Sequence, residues 1–248
     1  MADPVTTAMP DEAIVLAGGL GTRLAPVLPG RPKALAPVAG RPFLHWLLDR
    51  LAREGIGRVV LATGHLAGAI RDAVGDRHAG MAVEHAPEDR PLGTGGALWA
   101  ALARCRGPRV FAMNGDTWSG TALAPMAAAA PAADIVMAVR PVADRARYGS
   151  VVLAGDRVVG LEEKGRTGPG LVSTGLYLLR RDLPGRCPVA APFSLEREII
   201  ARPHGLDIRA WHDEAAFIDI GTPEDLARAQ AALPSWAEAG TPADATPP

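Results

Sequence analysis

Short apolar runs and amphipathic stretches alternate along the first half of the chain. Ala13-Ile14-Val15-Leu16-Ala17, Arg58-Val59-Val60-Leu61-Ala62-Thr63 and Arg109-Val110-Phe111-Ala112-Met113 are brief and apolar throughout, the pattern of strands covered on both faces. Between them, Phe43 to Glu54 repeats apolar residues at helical spacing (Phe43, Trp46, Leu47, Leu51) and meets Gly55 as a stop; Ala97 to Arg104 does the same with Leu98 and Leu102. This β-α-β order predicts an α/β fold: an open, mostly parallel sheet with helices on both faces and a ligand crevice at the carboxyl ends of its strands. After Pro141 the texture changes. Ser150–Leu153 and Arg157–Leu161 flank Gly155-Asp156, a hairpin signal, and Leu171 to Leu179 reads as a longer strand, so antiparallel strands are expected here. Near the end Thr222 is placed to cap a helix over 223–233, with Pro223 at its first position and acids in its first turn. Residues 1–12 and 234–248 lack apolar periodicity and are expected to be mobile tails around one domain, 13–233.

Composition narrows the partners. The 248 residues are 48% apolar and 21% charged, and 26 basic side chains against 27 acidic ones leave a net charge of -1, which gives no basic surface for nucleic acid or anionic membrane. The longest apolar stretch, Met126 to Val139, is interrupted by Pro131 and Asp134 and is shorter than the roughly 20 residues that span a bilayer. Residues 1–12 carry acids and no basic segment, so no secretory signal is expected and the cytoplasm is the expected location. Cys105 and Cys187 stand alone, without a C-x-x-C spacing, and read as packing thiols. The six histidines form no H-E-x-x-H pair and no G-x-S-x-G elbow occurs, which removes the usual signatures of a zinc hydrolase or a serine hydrolase. Trp46 and Trp99, spaced among apolar neighbours, read as core.

The strongest chemical signal is Leu16-Ala17-Gly18-Gly19-Leu20-Gly21-Thr22-Arg23-Leu24, leading on to Pro32-Lys33. Glycines directly after a buried strand let main-chain N–H groups approach phosphate oxygens, and Arg23 and Lys33 bring charge to neutralise them. Leu24 stands where a dinucleotide fingerprint needs Gly or Ala, and no G-x-x-x-x-G-K-[ST] is present. On its own the segment is also compatible with a tight turn carrying two surface cations. Other segments add carboxylates and small residues: Asn114-Gly115-Asp116-Thr117 ends the third apolar run, Asp219 sits in Phe217-Ile218-Asp219-Ile220-Gly221, and Pro91-Leu92-Gly93-Thr94-Gly95-Gly96 precedes a helix. Glu162-Glu163-Lys164, taken alone, is an ordinary solvated charged turn, and Tyr177 an ordinary strand residue.

Together these segments resemble the sugar-1-phosphate nucleotidyltransferase family over roughly residues 13–230, and in the family's order. The resemblance implies a Rossmann-like nucleotide-diphospho-sugar transferase fold with an added antiparallel sugar-binding part. It implies Mg²⁺ on Asp116 and Asp219, and a nucleotide against Leu16, Ala17, Gly18, Gly19, Gly21, Thr22, Arg23, Gly93, Thr94, Asn114 and Asp116, with Leu16, Ala17 and Gly93 reading the base through backbone groups. It places a sugar phosphate against Tyr148, Gly149, Glu163, Lys164, Thr174 and Gly175, with Arg23, Lys33, Asp116, Lys164 and Asp219 as the catalytic set. Within the family, Arg147-Tyr148-Gly149-Ser150, Pro192-Phe193-Ser194-Leu195-Glu196 and the Phe217–Asp225 segment look most like D-glycero-α-D-manno-heptose-1-phosphate guanylyltransferases. Ser173 and Ala34-Leu35 differ from that subgroup, which carries Asn near the first and Pro-Met at the second.

The implied reaction joins GTP, or another nucleoside triphosphate, to a sugar 1-phosphate, releasing pyrophosphate. Phosphoryl-type transfers of this kind rest on positioning and electrostatics rather than on a catalytic His or Cys. Mannose-1-phosphate guanylyltransferase and N-acetylmuramate-1-phosphate uridylyltransferase activities are the neighbouring alternatives. A non-catalytic nucleotide-sugar sensor is the alternative from another class, and a lost metal carboxylate would be its mark. A monomer or homodimer is expected, without nucleic-acid or membrane partners.

Overall fold

The computed structural model describes residues 8–19, 21, 23–24, 26–162 and 164–238. In chain order the strands are β1 (Glu12–Leu16), β2 (Pro37–Val38), β3 (Arg41–Pro42), β4 (Arg58–Thr63), β5 (Arg77–His78), β6 (Met81–Pro87), β7 (Arg109–Asn114), β8 (Thr117–Ser119), β9 (Ile135–Val142), β10 (Ser150–Ala154), β11 (Arg157–Glu162), β12 (Gly170–Arg180), β13 (Ile208–His212) and β14 (Phe217–Asp219). The helices are α1 (Phe43–Arg53), α2 (Ala67–Val74), α3 (Gly93–Leu102), α4 (Leu123–Ala129), α5 (Leu183–Arg186) and α6 (Pro223–Glu238), with a 3-10 turn at Lys33–Leu35 and a π-helical turn at Leu195–Ile200.

Ten strands form one sheet in the order β10-β11-β13-β9-β12-β7-β1-β4-β6-β5. The block β7-β1-β4-β6 is parallel, and β12 runs antiparallel between β7 and β9, so the sheet divides into a parallel half and the extension with antiparallel strands that the two textures of the sequence predict, in which, among the described residues, β13 alone pairs parallel, with β9. Alternate residues of the central strands face opposite cores: Ala13, Val15, Val59, Leu61 and Phe111 pack with α1, α2, α4 and α6. Ile14, Val60, Ala62, Val110 and Ala112 pack with α3, α5 and the π-helical turn. Both layers are needed because these strands are apolar on both faces. Cys105 and Cys187 are buried free thiols, and burial pushes the Cys105 thiol up to about 12. No helix among the described residues is long and apolar enough to cross a membrane.

Several boundaries differ from the sequence reading. The expected N-terminal tail ends earlier, because Glu12 is the first residue of β1 and is buried; its carboxylate accepts the amides of Arg106 and Gly107 at 2.7 and 2.6 Å and pairs with Arg58. At the other end α6 continues past residue 233 to Glu238, through Pro234. The physical reason is Trp236, whose ring stacks on buried Trp118 at 5.3 Å and so gives the last turn an apolar face to cover. Helix α3 starts at Gly93, four residues before the expected Ala97. The glycines of Pro91–Gly96 are therefore in its first turn, and a Cβ on Gly93 or Gly95 would collide with Phe193.

Candidate active site

The site forms where the parallel block reverses its order. From β1 the chain moves outward to β4 and β6, then returns to β7 on the other side of β1, which opens a crevice at the carboxyl ends of these strands. Three glycines permit the close approach. A Cβ on Gly18 would lie 3.0 Å from Gly64 N, and one on Gly115 would lie 2.8 Å from Leu16 O. At Gly21 φ is +60°, a conformation open to glycine, and the residue packs over the Lys33 side chain. The resulting cavity of about 330 Å³ is lined by Leu16, Ala17, Gly18, Gly19, Lys33, Gly93, Thr94, Asn114, Asp116 and, beside these, Glu88 and Glu196. Ala17 donates its amide to Ala62 O at 2.8 Å, and Leu16 O accepts from Gly115 N at 2.9 Å. The Ala17 amide is thus spent inside the fold.

At one wall of this cavity two carboxylates converge on one ammonium. Lys33 Nζ is 2.6 Å from Asp116 Oδ2 and 3.4 Å from Asp219 Oδ1. Asp116 and Asp219 are 103 residues apart in sequence, and the β8–β14 ribbon joins them: Asp219 faces Thr117 in register, and Ile220 N donates to Asp116 O at 3.0 Å. Burial and the Asp116 charge push the Asp219 carboxyl above its ordinary range, against the pull of Lys33. A Cβ on Gly221 would be 2.9 Å from Asp219 Oδ1 and 3.2 Å from Arg23 Nη2, so a bare backbone there lets the Arg23 guanidinium approach the same cluster. Asp116 and Asp219 thus offer hard oxygen donors beside Lys33 and Arg23 in a partly dehydrated place. That arrangement suits a hard divalent cation that shares its remaining positions with water and substrate phosphates.

A second cavity, about 850 Å³, opens on the other side of the cluster, between β7, β11, β12, the π-helical turn and β14; Asn114, Tyr148, Gly149, Lys164, Thr174, Gly175, Glu196 and Asp219 line it. Its shape depends on a register break between β12 and β9 at Ser173–Tyr177. Gly175 sits there at φ +73°, and a Cβ on it would be 2.6 Å from Asn114 Nδ2, so the bulge brings β12 against the Asn114 amide. Thr174 turns its hydroxyl to Ala138 O at 3.4 Å and lines the cavity without presenting that group. Tyr148 lies edge-on to Phe217 at 6.3 Å, and burial raises its phenol above the usual value.

The structure therefore gathers Lys33, Asp116 and Asp219 at one point. It sets Gly18, Gly19, Gly93, Thr94 and Asn114 around one cavity, and Tyr148, Gly149, Lys164 and Gly175 around the other, while Gly21 lies outside the lining of either. Thr22 and Glu163 lie outside the described residues. The sequence reading missed two site residues. Glu88 follows β6 and accepts Leu92 N at 2.9 Å through Oε2, while Oε1 is the atom nearest Gly18 on that side. Glu196 accepts from Thr94 Oγ1 at 2.9 Å and Ser194 Oγ at 3.0 Å and lines both cavities. Both follow stretches without strong apolar periodicity; the available signal for Glu196 was its place in the Pro192–Glu196 segment.

Residues 12–235 match the sequence profile of the nucleotidyl transferase family. The chain belongs to that family. Among relatives of this nucleotidyl transferase, D-glycero-alpha-D-manno-heptose 1-phosphate guanylyltransferase of Aneurinibacillus thermoaerophilus is 34% identical over 225 residues, which cover 90% of this chain and 98% of the relative. Mannose-1-phosphate guanylyltransferase of Mycobacterium tuberculosis is 35% identical over 230 residues, 90% of this chain and 64% of the relative. The crystal structure of HddC from Yersinia pseudotuberculosis complexed with GMP-PN superposes with a TM-score of 0.80 at 32% identity, covering 88% of this chain and 97% of that one.

Proposed function

We propose that this nucleotidyl transferase joins GTP to D-glycero-α-D-manno-heptose 1-phosphate, producing GDP-heptose and pyrophosphate in the cytoplasm with Mg²⁺. The observation that carries the reading is that the Lys33–Asp116–Asp219 cluster stands where two cavities meet, one walled by glycine backbone and the other by Tyr148, Gly149 and Lys164. Two anionic substrates entering from opposite sides meet their charge neutralisation at that junction.

A phosphate oxygen of the sugar phosphate attacks the α-phosphorus of the triphosphate; the new O–P bond forms as the bond to the β-phosphate oxygen breaks, and pyrophosphate leaves with that electron pair. No general base is needed, because a phosphate monoester with a second pKa near about 6 is largely dianionic at neutral pH. The residues must hold two anions in line and offset their repulsion. Lys33 and Arg23 serve the triphosphate side and Lys164 the sugar phosphate. Asp116 and Asp219 would hold the divalent cation, which supplies positive charge to the triphosphate oxygens. With both carboxylates in place, the mark expected of a non-catalytic sensor is missing.

Guanine is favoured by Glu88. The Watson–Crick edge of guanine carries two adjacent donors, N1–H and N2–H, and Glu88 Oε1, the carboxylate oxygen that the Leu92 amide does not engage, can accept there. Uracil presents a single N–H between two carbonyls, which a carboxylate repels. The two guanylyltransferase relatives support the same base, and the heptose is favoured over mannose by the near-complete coverage of the heptose-specific relative. The test is pyrophosphate release over a grid of nucleoside triphosphates and sugar 1-phosphates with Mg²⁺. GTP with the heptose phosphate is expected to give the highest kcat/KM. An equal or higher value with α-D-mannose 1-phosphate refutes the sugar assignment, and one with UTP refutes the base.

A further inference from the structure

Tyr148 and Lys164 stand on two loops laced to each other. Arg145 N donates to Gly168 O at 3.1 Å, Gly165 N to Ala146 O at 3.1 Å, and Gly168 N to Asp144 Oδ1 at 3.1 Å. The Arg145 side chain runs beneath them to Ser150 Oγ at 3.3 Å and Glu162 Oε2 at 3.2 Å. Loops 143–149 and 164–169 are therefore tied to each other. Asp219, which lines the same cavity, belongs to a different piece: β14 and the start of α6.

One ion pair among the described residues joins these two pieces. Arg147 contacts Asp225 with both terminal nitrogens, Nη1 lying 3.4 Å from Oδ1 and Nη2 bonding Oδ2. Asp225 is buried and fixed independently, since it exchanges bonds with the Thr222 cap at 2.9 and 3.2 Å and also meets Arg228 at 3.0 Å. A buried carboxylate held by a helix cap is a rigid anchor, and a two-point contact fixes direction as well as distance. Arg147 is half exposed and contributes little core packing. We propose that Arg147 is a positioning residue that latches the sugar-phosphate loops to the Asp219 segment and so sets the spacing across the sugar-phosphate cavity. This rests on the functional reading above.

The latch predicts a split that general loss of structure does not produce. Arg147→Ala is expected to raise KM for D-glycero-α-D-manno-heptose 1-phosphate and lower kcat, for a combined loss of about ten- to a hundredfold in kcat/KM, the cost of a small misplacement. KM for GTP should stay within about twofold and the melting temperature nearly constant, as for a half-exposed residue. Arg147→Lys should recover part of the loss. Asp225→Asn should match Arg147→Ala, and the double variant should be no worse than either single one. Parallel changes in both KM values, or no change, would overturn the latch. Hydrogen exchange on the same proteins decides the point apart from turnover: faster exchange in 143–149 and 164–169 of Arg147→Ala, reversed in Arg147→Lys, supports it, and unchanged exchange refutes it. A wild-type protein that released no pyrophosphate would sink the functional reading, while the exchange data would still judge the latch.

Discussion

Replacing Glu88 by Gln separates the guanine assignment from every other part of the account. The amide is the same size, and its oxygen can still accept the Leu92 amide that Glu88 Oε2 accepts at 2.9 Å, so the loop leading into α3 keeps its shape. What changes is the half of the side chain on the Gly18 side: a charged acceptor becomes an N–H donor. A hydrogen bond to a charged group contributes about 1.5–3 kcal/mol, so losing it lowers kcat/KM for GTP by about 10- to 150-fold. The new donor faces a uracil carbonyl, and a neutral bond there contributes about 0.5–1.5 kcal/mol, raising kcat/KM for UTP about two- to tenfold. The GTP:UTP preference should thus fall by between about 20-fold and about 1,500-fold, read from pyrophosphate release under competition. A preference unchanged within about threefold in a protein with wild-type melting would refute the reasoning and remove Glu88 from the base site.

Asp116→Asn and Asp219→Asn should each lower kcat/KM by on the order of a hundredfold or more, with the double variant losing less than the product, because the two carboxylates act as one unit; near-wild-type turnover and unchanged Mg²⁺ dependence in either variant would exclude that residue. Lys164→Ala should raise KM for the sugar phosphate while Arg23→Ala mainly lowers turnover with GTP, and steady-state kinetics in both substrates would show whether the signatures differ. Glu12 governs acid stability: burial raises its carboxyl, but the Gly107 and Arg106 amides and Arg58 outweigh this and hold it below the ordinary range. A depressed folded-state value means that its contribution is complete above the unfolded value, near about 4.3, and is lost as pH falls through the folded value. Glu12→Gln should therefore cost about 1–3 kcal/mol at neutral pH and progressively less below pH 4, as measured by urea unfolding across pH; a pH-independent difference would contradict this.

The parallel half was legible because β1, β4 and β7 are apolar on both faces, a pattern with few alternative fates. Strand β6 was not: Glu84 and His85 interrupt Met81–Pro87, yet Glu84 pairs with Arg58 and Arg104 at the sheet rim, and His85 Nε2 bonds Gly75 O at 2.8 Å. Such compensation is tertiary and leaves no local trace. The glycine loop, Lys33, Asp116 and Asp219 could be nominated because their motifs are contiguous, while the β8–β14 register that brings the two acids together is a long-range fact. Glu88 and Arg147 show the same limit. Glu88 reaches its cavity beside Gly18, and Arg147 its partner Asp225, only through the long-range fold.

The central claim is that the guanylyl group of GTP, its α-phosphate still bonded to guanosine, is transferred whole to a sugar 1-phosphate at the Lys33–Asp116–Asp219 junction. Incubating the protein and Mg²⁺ with GTP labelled at the α-phosphate and D-glycero-α-D-manno-heptose 1-phosphate tests it directly. The account predicts one labelled GDP-heptose for each pyrophosphate released, and no such product when Asp219→Asn replaces the wild type. Label remaining in GTP, or appearing as free GMP while the sugar phosphate is untouched, would contradict it.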